Sequence, residues 1–234
     1  MSSFMLRLFA LLCMLVDHIG LALFPRAGLF RCIGRLSFPL YCFLLTQGYI
    51  HTRDVRAYGR RLLLLAILSE IPFDLLIFGR ISSSMEMNVF FSLLLGLLAL
   101  AALDHYRQFP AHAALCVAAV LVCSMLSRVS YGWLGVALCI AFFCAQGNRM
   151  QQALWLIALE ALYILGLACS GVARSWVLAS LCAMLAAIPI LFYSGKPGPR
   201  SKALSFFFYI AYPLHIIALL IIRALRIVPP YFFG

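Results

Sequence analysis

The stretch FMLRLFALLCMLVDHIGLALF, residues 4–24, is apolar apart from Arg7, Asp17 and His18. A helix needs about 20 mainly apolar residues to cross a bilayer, so this stretch predicts a membrane span. No small-residue cleavage site follows its apolar part, which favours a retained helix over a signal peptide. The three polar side chains are costly in such a helix, and their chemistry decides the functional prediction.

The rest of the chain repeats this apolar pattern. Of its 234 residues, 65% are hydrophobic and 11% are charged, whereas a soluble domain has about 25% charged residues. Eight further spans are predicted near 31–50, 61–78, 88–104, 111–127, 131–146, 151–169, 174–193 and 204–223. The fold prediction is therefore all-α: one polytopic integral membrane helical bundle over residues 1–234, with about nine transmembrane helices and eight or ten also possible.

The net charge of +11 comes from 16 arginines and two lysines. In a soluble protein this charge would suggest nucleic acid, but here the cations mostly flank spans and indicate topology. The densest loops, HTRDVRAYGRR (51–61) and SGKPGPRSK (194–202), fall on the same side of nine spans as the N-terminus. We expect that side to be cytoplasmic, the lipid bilayer to be a partner, and nucleic acid not to be one.

Common catalytic and metal-binding motifs are absent from the sequence. The nine cysteines include no C-x-x-C pair, so neither a disulfide framework nor a metal site is predicted. No Gly-rich phosphate loop, H-E-x-x-H or G-x-S-x-G motif occurs either. Any chemistry is expected inside the bundle or at its mouths.

Arg7 and His18 are predicted to share one face of the first helix. Eleven residues at about 100° each return to within roughly 20° of the starting direction, about 16 Å along the axis. Asp17 points roughly 100° away from His18 and is expected to pair with Arg35 or His215 on another helix. The alternative for His18 is a neutral side chain that bridges helices without doing chemistry.

Other polar residues inside spans are further site candidates. Arg35 lies in an apolar pattern and requires an anion, either Asp17 or a substrate oxygen. Pro39 is expected to interrupt the second span and free backbone groups. Asn88 begins a span, where it is either only a helix cap or also a hydrogen-bond donor to a substrate. His215 in the last span requires a partner.

Glu70 and Asp74 lie four residues apart around Pro72 in the third span. We expect at least one of them to form a salt bridge with an arginine of the second or third span. The role predicted for this pair is structural rather than catalytic.

Seven segments, in this order along nearly the whole chain, resemble the TraX family: LVDHIG (15–20), GRLSFPLYCFLL (34–45), SEIPFD (69–74), NVFFSL (88–93), YGWLGV (131–136), FYSGKPGP (192–199) and YPLHI (212–216). TraX proteins are polytopic inner-membrane proteins of bacteria, and the conjugative member is associated with N-terminal acetylation of F-type pilin. The family is also distantly similar to integral-membrane acyltransferases. Those enzymes have an arginine, ten intervening residues and an essential histidine in their first span.

The resemblance implies an acetyltransferase with acetyl-CoA as donor and no metal. Arg7 matches the arginine that helps to hold the donor, with Arg35 and Asn88 as further donor-site candidates. His18 matches the acid–base histidine, with Asp17 and His215 as further catalytic candidates. The acceptor stays open: a pilin-like peptide, a glycan or a small molecule.

Acyl transfer from a thioester requires a base for the incoming amine or hydroxyl, and donors for the developing oxyanion. Direct transfer and transfer through an acyl-histidine use the same residues. Two other functional classes fit intramembrane acids, histidines and proline-broken helices. They are a proton-coupled transporter and a non-catalytic membrane protein of pilus assembly.

Overall fold

A computed structural model describes residues 1–24, 27–81, 86–199 and 201–225, and its regular elements are helices. In chain order they are α1 (Ser3–Leu23), α2 (Gly28–Arg35), α3 (Ser37–His51), α4 (Val55–Phe78), α5 (Val89–His105), α6 (Pro110–Leu126), α7 (Trp133–Cys144), α8 (Arg149–Cys169), α9 (Arg174–Leu181), a 3-10 helix (Cys182–Ala186), α10 (Ala187–Leu191) and α11 (Lys202–Ala224). Apart from one isolated bridge between Met87 and Val129, the described ranges contain no β-structure. Arg200 of the predicted cytoplasmic loop lies outside the described residues.

Each of the nine predicted spans falls on a helical segment, which confirms the all-α membrane bundle. Five segments are long and apolar enough to cross a membrane: Ser3–Leu23, Gly28–His51, Arg149–Cys169, Arg174–Leu191 and Ala203–Ala224. The apolar helices α5, α6 and α7 are shorter. Helix α4 has 24 residues, and its last 18 include three charged side chains.

The second predicted span is two helices that meet at Leu36. The break lies three residues before Pro39, which occupies the first turn of α3, where a missing backbone N–H costs nothing. The break therefore precedes Pro39 rather than occurring at it. One consequence is that Arg35 becomes the last residue of α2, at the negative end of the helix dipole.

Helix α3 lies at the centre of the bundle, and the helices around it expose apolar side chains on the outer surface of the bundle. Eleven residues of α3 are buried, on all sides of the helix. The outer helices instead expose large apolar residues such as Leu126 on α6, Leu165 on α8 and Leu214 on α11. Such an apolar outer surface is compatible with contact to lipid, and polar side chains are then expected inside the bundle.

Helices α1 and α2 lie unusually close, and this contact positions the polar residues of α1. A methyl group placed at Gly34 would lie 2.2 Å from both Cβ and Oδ1 of Asp17. One placed at Gly20 would lie 2.2 Å from Cβ of Phe30. Glycine at both positions therefore permits the backbones to approach, as small residues do between membrane helices.

Candidate functional site

Two histidines from the first and last helices meet in the interior of the bundle. His18 Nδ1 lies 2.7 Å from His215 Nε2, and the two rings stack with their centroids 4.9 Å apart. His215 Nδ1 lies 2.7 Å from the carbonyl oxygen of Ala211. The fold thus joins two of the three residues proposed from the sequence as catalytic.

These hydrogen bonds determine which nitrogens hold protons when both rings are neutral. A carbonyl oxygen only accepts, so His215 Nδ1 donates to Ala211 and His215 Nε2 presents a lone pair. His18 Nδ1 must then donate to His215 Nε2. The lone pair of His18 is consequently on Nε2, which no described residue reaches with a hydrogen bond. This is the state that a general base requires.

The ring of Tyr212 covers the histidine pair. Its centroid lies 5.8 Å from that of His18 and 5.4 Å from that of His215, both edge to face. Phe90 of α5 packs edge-on against the same tyrosine at 4.8 Å. Tyr212 is three residues before His215, so both side chains lie on one face of α11.

A cavity of about 860 Å³ lies between α1, α3, α4, α5 and α11. Such a volume is in the range of small-molecule sites. One end, formed by the beginnings of α1, α4 and α11 and the end of α3, is mostly polar: Arg7, His51, Thr52, Tyr58, Arg61, Ser201 and Ser205. The other end is apolar and aromatic: Met14, Tyr41, Val89, Phe90 and Tyr212.

The histidine pair lies just beyond this cavity rather than in its wall. Tyr212 lines the deep end of the cavity, and its ring also packs against His18. Arg7 lines the polar end, about 16 Å from His18 along α1. The predicted arrangement of Arg7 at the mouth and His18 at depth is compatible with this geometry, and the roles of both residues stay predictions.

Arg7 also lines a smaller neighbouring cavity of about 120 Å³, together with Gly195, Pro197 and Pro199 of the segment 194–199. Backbone N–H groups of Ser3 and Phe4 donate to the carbonyl oxygens of Lys196 (2.8 Å) and Pro197 (3.2 Å). The beginning of α1 is therefore fixed to this segment, beside the polar end of the large cavity.

Asp17 pairs with Arg31, not with Arg35 or His215 as the sequence suggested. Asp17 Oδ2 lies 3.0 Å from Nη1 of Arg31. The prediction was wrong because Arg31 and Arg35 are one turn apart, and the rotation of α2 against α1 selects between them. Asp17 still fixes α1 to a neighbouring helix, as expected.

Arg35 lies beside this ion pair, against two aromatic rings. Its guanidinium carbon is 5.0 Å from the centroid of Trp176 and 5.5 Å from that of Tyr131. Arg35 does not line the large cavity, so its predicted role in holding the acetyl donor gains no support from position.

Asn88, another predicted donor-site residue, caps α5 and binds Glu70. Its Oδ1 accepts from the backbone N–H of Phe90 at 3.0 Å, while Nδ2 donates to the carbonyl oxygen of Ala66 at 2.7 Å and to Glu70 Oε2. The backbone N–H of Asn88 donates to Glu70 Oε2 as well. Every polar group of this fully buried side chain is thus used within the protein.

The same contacts give Glu70, one of the acidic pair of α4, a partner other than the expected arginine. The carboxylate of Glu70 pairs with Asn88 rather than with an arginine, because α5 begins directly beside it. Asp74, one turn later, is 3% exposed. The predicted structural role suits Glu70, although through a different partner.

Sequence reasoning missed the aromatic residues of the site. Tyr212 lies in the segment YPLHI (212–216), but nothing local indicates that it separates a cavity from a histidine pair. Trp176 and Tyr131 reach Arg35 from segments far apart in sequence, so no short motif could reveal them. Among the described residues, no three His, Cys, Asp or Glu side chains are grouped as metal ligands.

Comparison with known proteins gives a family and two similar chains. The family model described as TraX protein matches residues 2–223. A probable fimbrial assembly protein FimC, serogroup H1, of Dichelobacter nodosus is 30% identical over 232 residues, which cover 92% of this chain and 93% of that protein. An uncharacterized protein of Rickettsia prowazekii is 26% identical over 155 residues, covering 64% of this chain and 58% of its own. No solved structure matches.

Proposed function

The chain belongs to the TraX family, and we propose that it is a membrane-embedded acetyltransferase. It would move an acetyl group from cytoplasmic acetyl-CoA to an acceptor amine or hydroxyl. The observation that supports this best is the hydrogen-bonded chain Ala211–His215–His18, which leaves a lone pair on His18 Nε2 just beyond the Tyr212 ring that lines the ligand-sized cavity.

The residues present suit the chemistry of such a transfer. Bound acetyl-CoA would supply the acetyl group, whose carbonyl carbon bonds to the acceptor nitrogen or oxygen as the carbon–sulfur bond breaks. His18 Nε2 takes the proton that leaves the acceptor, and returns it to the departing sulfur. His215 accepts a hydrogen bond from His18 Nδ1 and so holds the imidazole in the tautomer that can act as base.

The polar end of the cavity suits a donor with phosphates. Arg7 and Arg61 both line it, and arginine forks bind phosphate oxygens well. From there to His18 is about 16 Å along α1, a distance that a long, thin thioester arm can span. Passage to His18 requires the Tyr212 ring to rotate, because that ring closes the deep end of the cavity.

The family and the fimbrial relative support a pilus-related role in a bacterial membrane. We place the protein in the inner membrane with the N-terminus and the Arg7 end of the cavity in the cytoplasm, where acetyl-CoA is made. A pilin-like peptide is then one acceptor to test, beside glycans and small molecules.

The test measures thioester consumption by purified protein in liposomes supplied with acetyl-labelled acetyl-CoA and candidate acceptors. His18→Ala should lower acceptor-dependent release of CoA thiol by on the order of 10²–10⁴-fold, as expected for a lost general base, while CoA binding persists. The matched control is His112→Ala, which removes an exposed histidine of α6.

Two results would contradict this proposal. One is wild-type turnover by His18→Ala with a confirmed acceptor, which would show that His18 is structural and not the catalytic base. The other is proton or solute flux across the liposome membrane without thioester consumption, which would indicate a transporter.

A further inference from the structure

A second polar cluster lies away from the large cavity, where α2 contacts both the second half of α1 and the beginning of α9. It contains Asp17, Arg31 and Arg35 together with Trp176, and both guanidinium carbons lie over the indole ring, at 4.8 Å and 5.0 Å. None of these four residues lines the cavity that contains Arg7. The cluster is therefore separate from the proposed donor site.

Within this cluster the positive charge of Arg35 has no anion bound to it. Asp17 gives Oδ2 to Arg31, while no carboxylate of a described residue lies within ion-pair distance of Arg35. Arg35 Nε and Asp17 Oδ1 are both buried without a hydrogen-bond partner. Glu160 of α8 is buried nearby with Oε1 also unpartnered, and it forms no ion pair with Arg35.

A buried guanidinium N–H without a hydrogen bond, as at Arg35 Nε, is expensive, since desolvation removes water and nothing replaces it. The aromatic faces of Trp176 and Tyr131 offset part of this cost by cation–π attraction. These rings leave N–H groups along the planar edge of the Arg35 guanidinium available to donate to a carboxylate or phosphate, whose oxygens match the geometry of arginine.

The cluster can be reached from outside the bundle. Trp176 is 47% exposed, and the side chains of Asp17 and Arg31 are each 21% exposed. Asp17 is ten residues after Arg7, so this opening lies about 15 Å further along α1 than the polar end of the cavity. A ligand that enters here approaches from the side opposite to the acetyl donor.

We propose that Arg35, with Arg31 and Trp176, binds a carboxylate or phosphate group of the acceptor. Asp17 and His18 are consecutive on a helix about 10–12 Å across with side chains, so the bound anion would lie within roughly 10 Å of the His18 ring. The acceptor is thus a small molecule or a chain end in which the amine or hydroxyl lies a few bonds from a carboxylate or phosphate. This inference names the substrate class of the proposed acetyltransferase and rests on that function.

The test uses Trp176 as the reporter, because the chain has three tryptophans and the other two can be replaced. Trp133→Phe/Trp155→Phe protein in phosphatidylcholine nanodiscs is titrated with N-acetylglycine and, separately, with its uncharged amide. We expect a saturable change in emission with the carboxylate, and affinity for the amide weaker by on the order of tenfold or more. Arg35→Gln should abolish this preference.

Arg149→Gln is the matched control, because Arg149 also lies over two aromatic rings, those of Tyr193 and Phe43. Its Nη1 donates to Gln152, so it has a partner that Arg35 lacks. This variant should keep the preference for the carboxylate. If Arg35→Gln fails to fold, Arg35→Lys retains the charge without the fork and should give intermediate affinity.

Three results would overturn the proposal: equal affinity for both probes, a preference that survives in Arg35→Gln, or exclusion of the carboxylate by phosphatidylglycerol added to the nanodisc. The last would mean that Arg35 holds a lipid headgroup. Because binding is read without turnover, a selective response in a protein that consumes no thioester would refute the acetyltransferase and leave the anion site standing.

Discussion

Two buried polar sites in this apolar bundle differ in how completely their hydrogen bonds are satisfied. At the junction of α4 and α5, both N–H groups and the oxygen of the Asn88 amide have partners within the protein. At the junction of α1 and α2, Asp17 Oδ1 and Arg35 Nε are buried without any. Both sites were candidates from the sequence, since intramembrane polar residues are functional by default.

We interpret a buried polar group with all its hydrogen-bond partners as one that stabilises the fold, and a buried polar group without partners as one that binds a ligand. Buried polar atoms in native proteins nearly always have partners, and an exception requires a cause such as a missing ligand. By this criterion Asn88 and Glu70 stabilise the beginning of α5, whereas Arg35 and Asp17 are assigned to the proposed acceptor site. The predictions below test that division.

The largest effect is expected for Asn88→Ala, on stability rather than activity. It removes a helix cap and leaves the half-buried Glu70 carboxylate with only the backbone N–H of residue 88 as donor from this position. The combined cost is about 2–4 kcal/mol in unfolding free energy. Thermal unfolding of the protein in detergent measures it, while acetyl transfer per folded molecule should change little.

Asn148→Ala is the control, because Asn148 caps α8 in the same way, with its side chain accepting from Gln151 N at 3.0 Å. Asn148 is exposed, so this variant should cost only the cap, about 1 kcal/mol. A folded Asn88→Ala protein with greatly reduced turnover would instead place Asn88 in the catalytic site.

The next effect concerns the α1–α2 contact that orients Asp17. Gly34→Ala puts a methyl 2.2 Å from Cβ of Asp17, an atom too near the backbone to swing aside. Such overpacking costs about 1–3 kcal/mol and should also disturb the Asp17–Arg31 pair. We expect a lower melting temperature together with weaker binding of the carboxylate probe.

Gly166→Ala tests the same change where a helix has room, because no atom lies within 4 Å of the added methyl. Alanine favours helix over glycine, so this variant should be neutral or slightly more stable. Equal destabilisation by both substitutions would mean that close packing at Gly34 is not what positions Asp17.

These contrasts show what local sequence could predict. The apolar periods located the helices, and the eleven-residue spacing placed Arg7 and His18 on one helix about 16 Å apart. Asn88 at the beginning of an apolar run was recognisable as a cap. All of these are consequences of order along a single helix.

Partners between helices were harder, because they depend on rotation and depth that no single segment encodes. His18 meets His215 across 197 positions in sequence. The choice of Arg31 over Arg35 for Asp17 follows from how α2 docks at Gly34, and Glu70 finds Asn88 only because α5 begins beside it. Lone polar residues signalled that partners were needed but not which ones.

The smallest expected effect is at the polar end of the cavity, where Arg7 is exposed and Arg61 lines the same wall. Arg7→Ala should raise KM for acetyl-CoA by about threefold to tenfold with kcat nearly unchanged, since a solvated arginine–phosphate contact contributes little and Arg61 remains. Arg56→Ala, which removes an exposed arginine of the same end outside the cavity wall, should leave KM unaltered. Initial rates at varied acetyl-CoA and ionic strength distinguish the two, because the Arg7 contribution should diminish as salt screens it. A fall in kcat without a change in KM would contradict this prediction. It would mean that Arg7 acts on the reacting atoms and not in binding the donor.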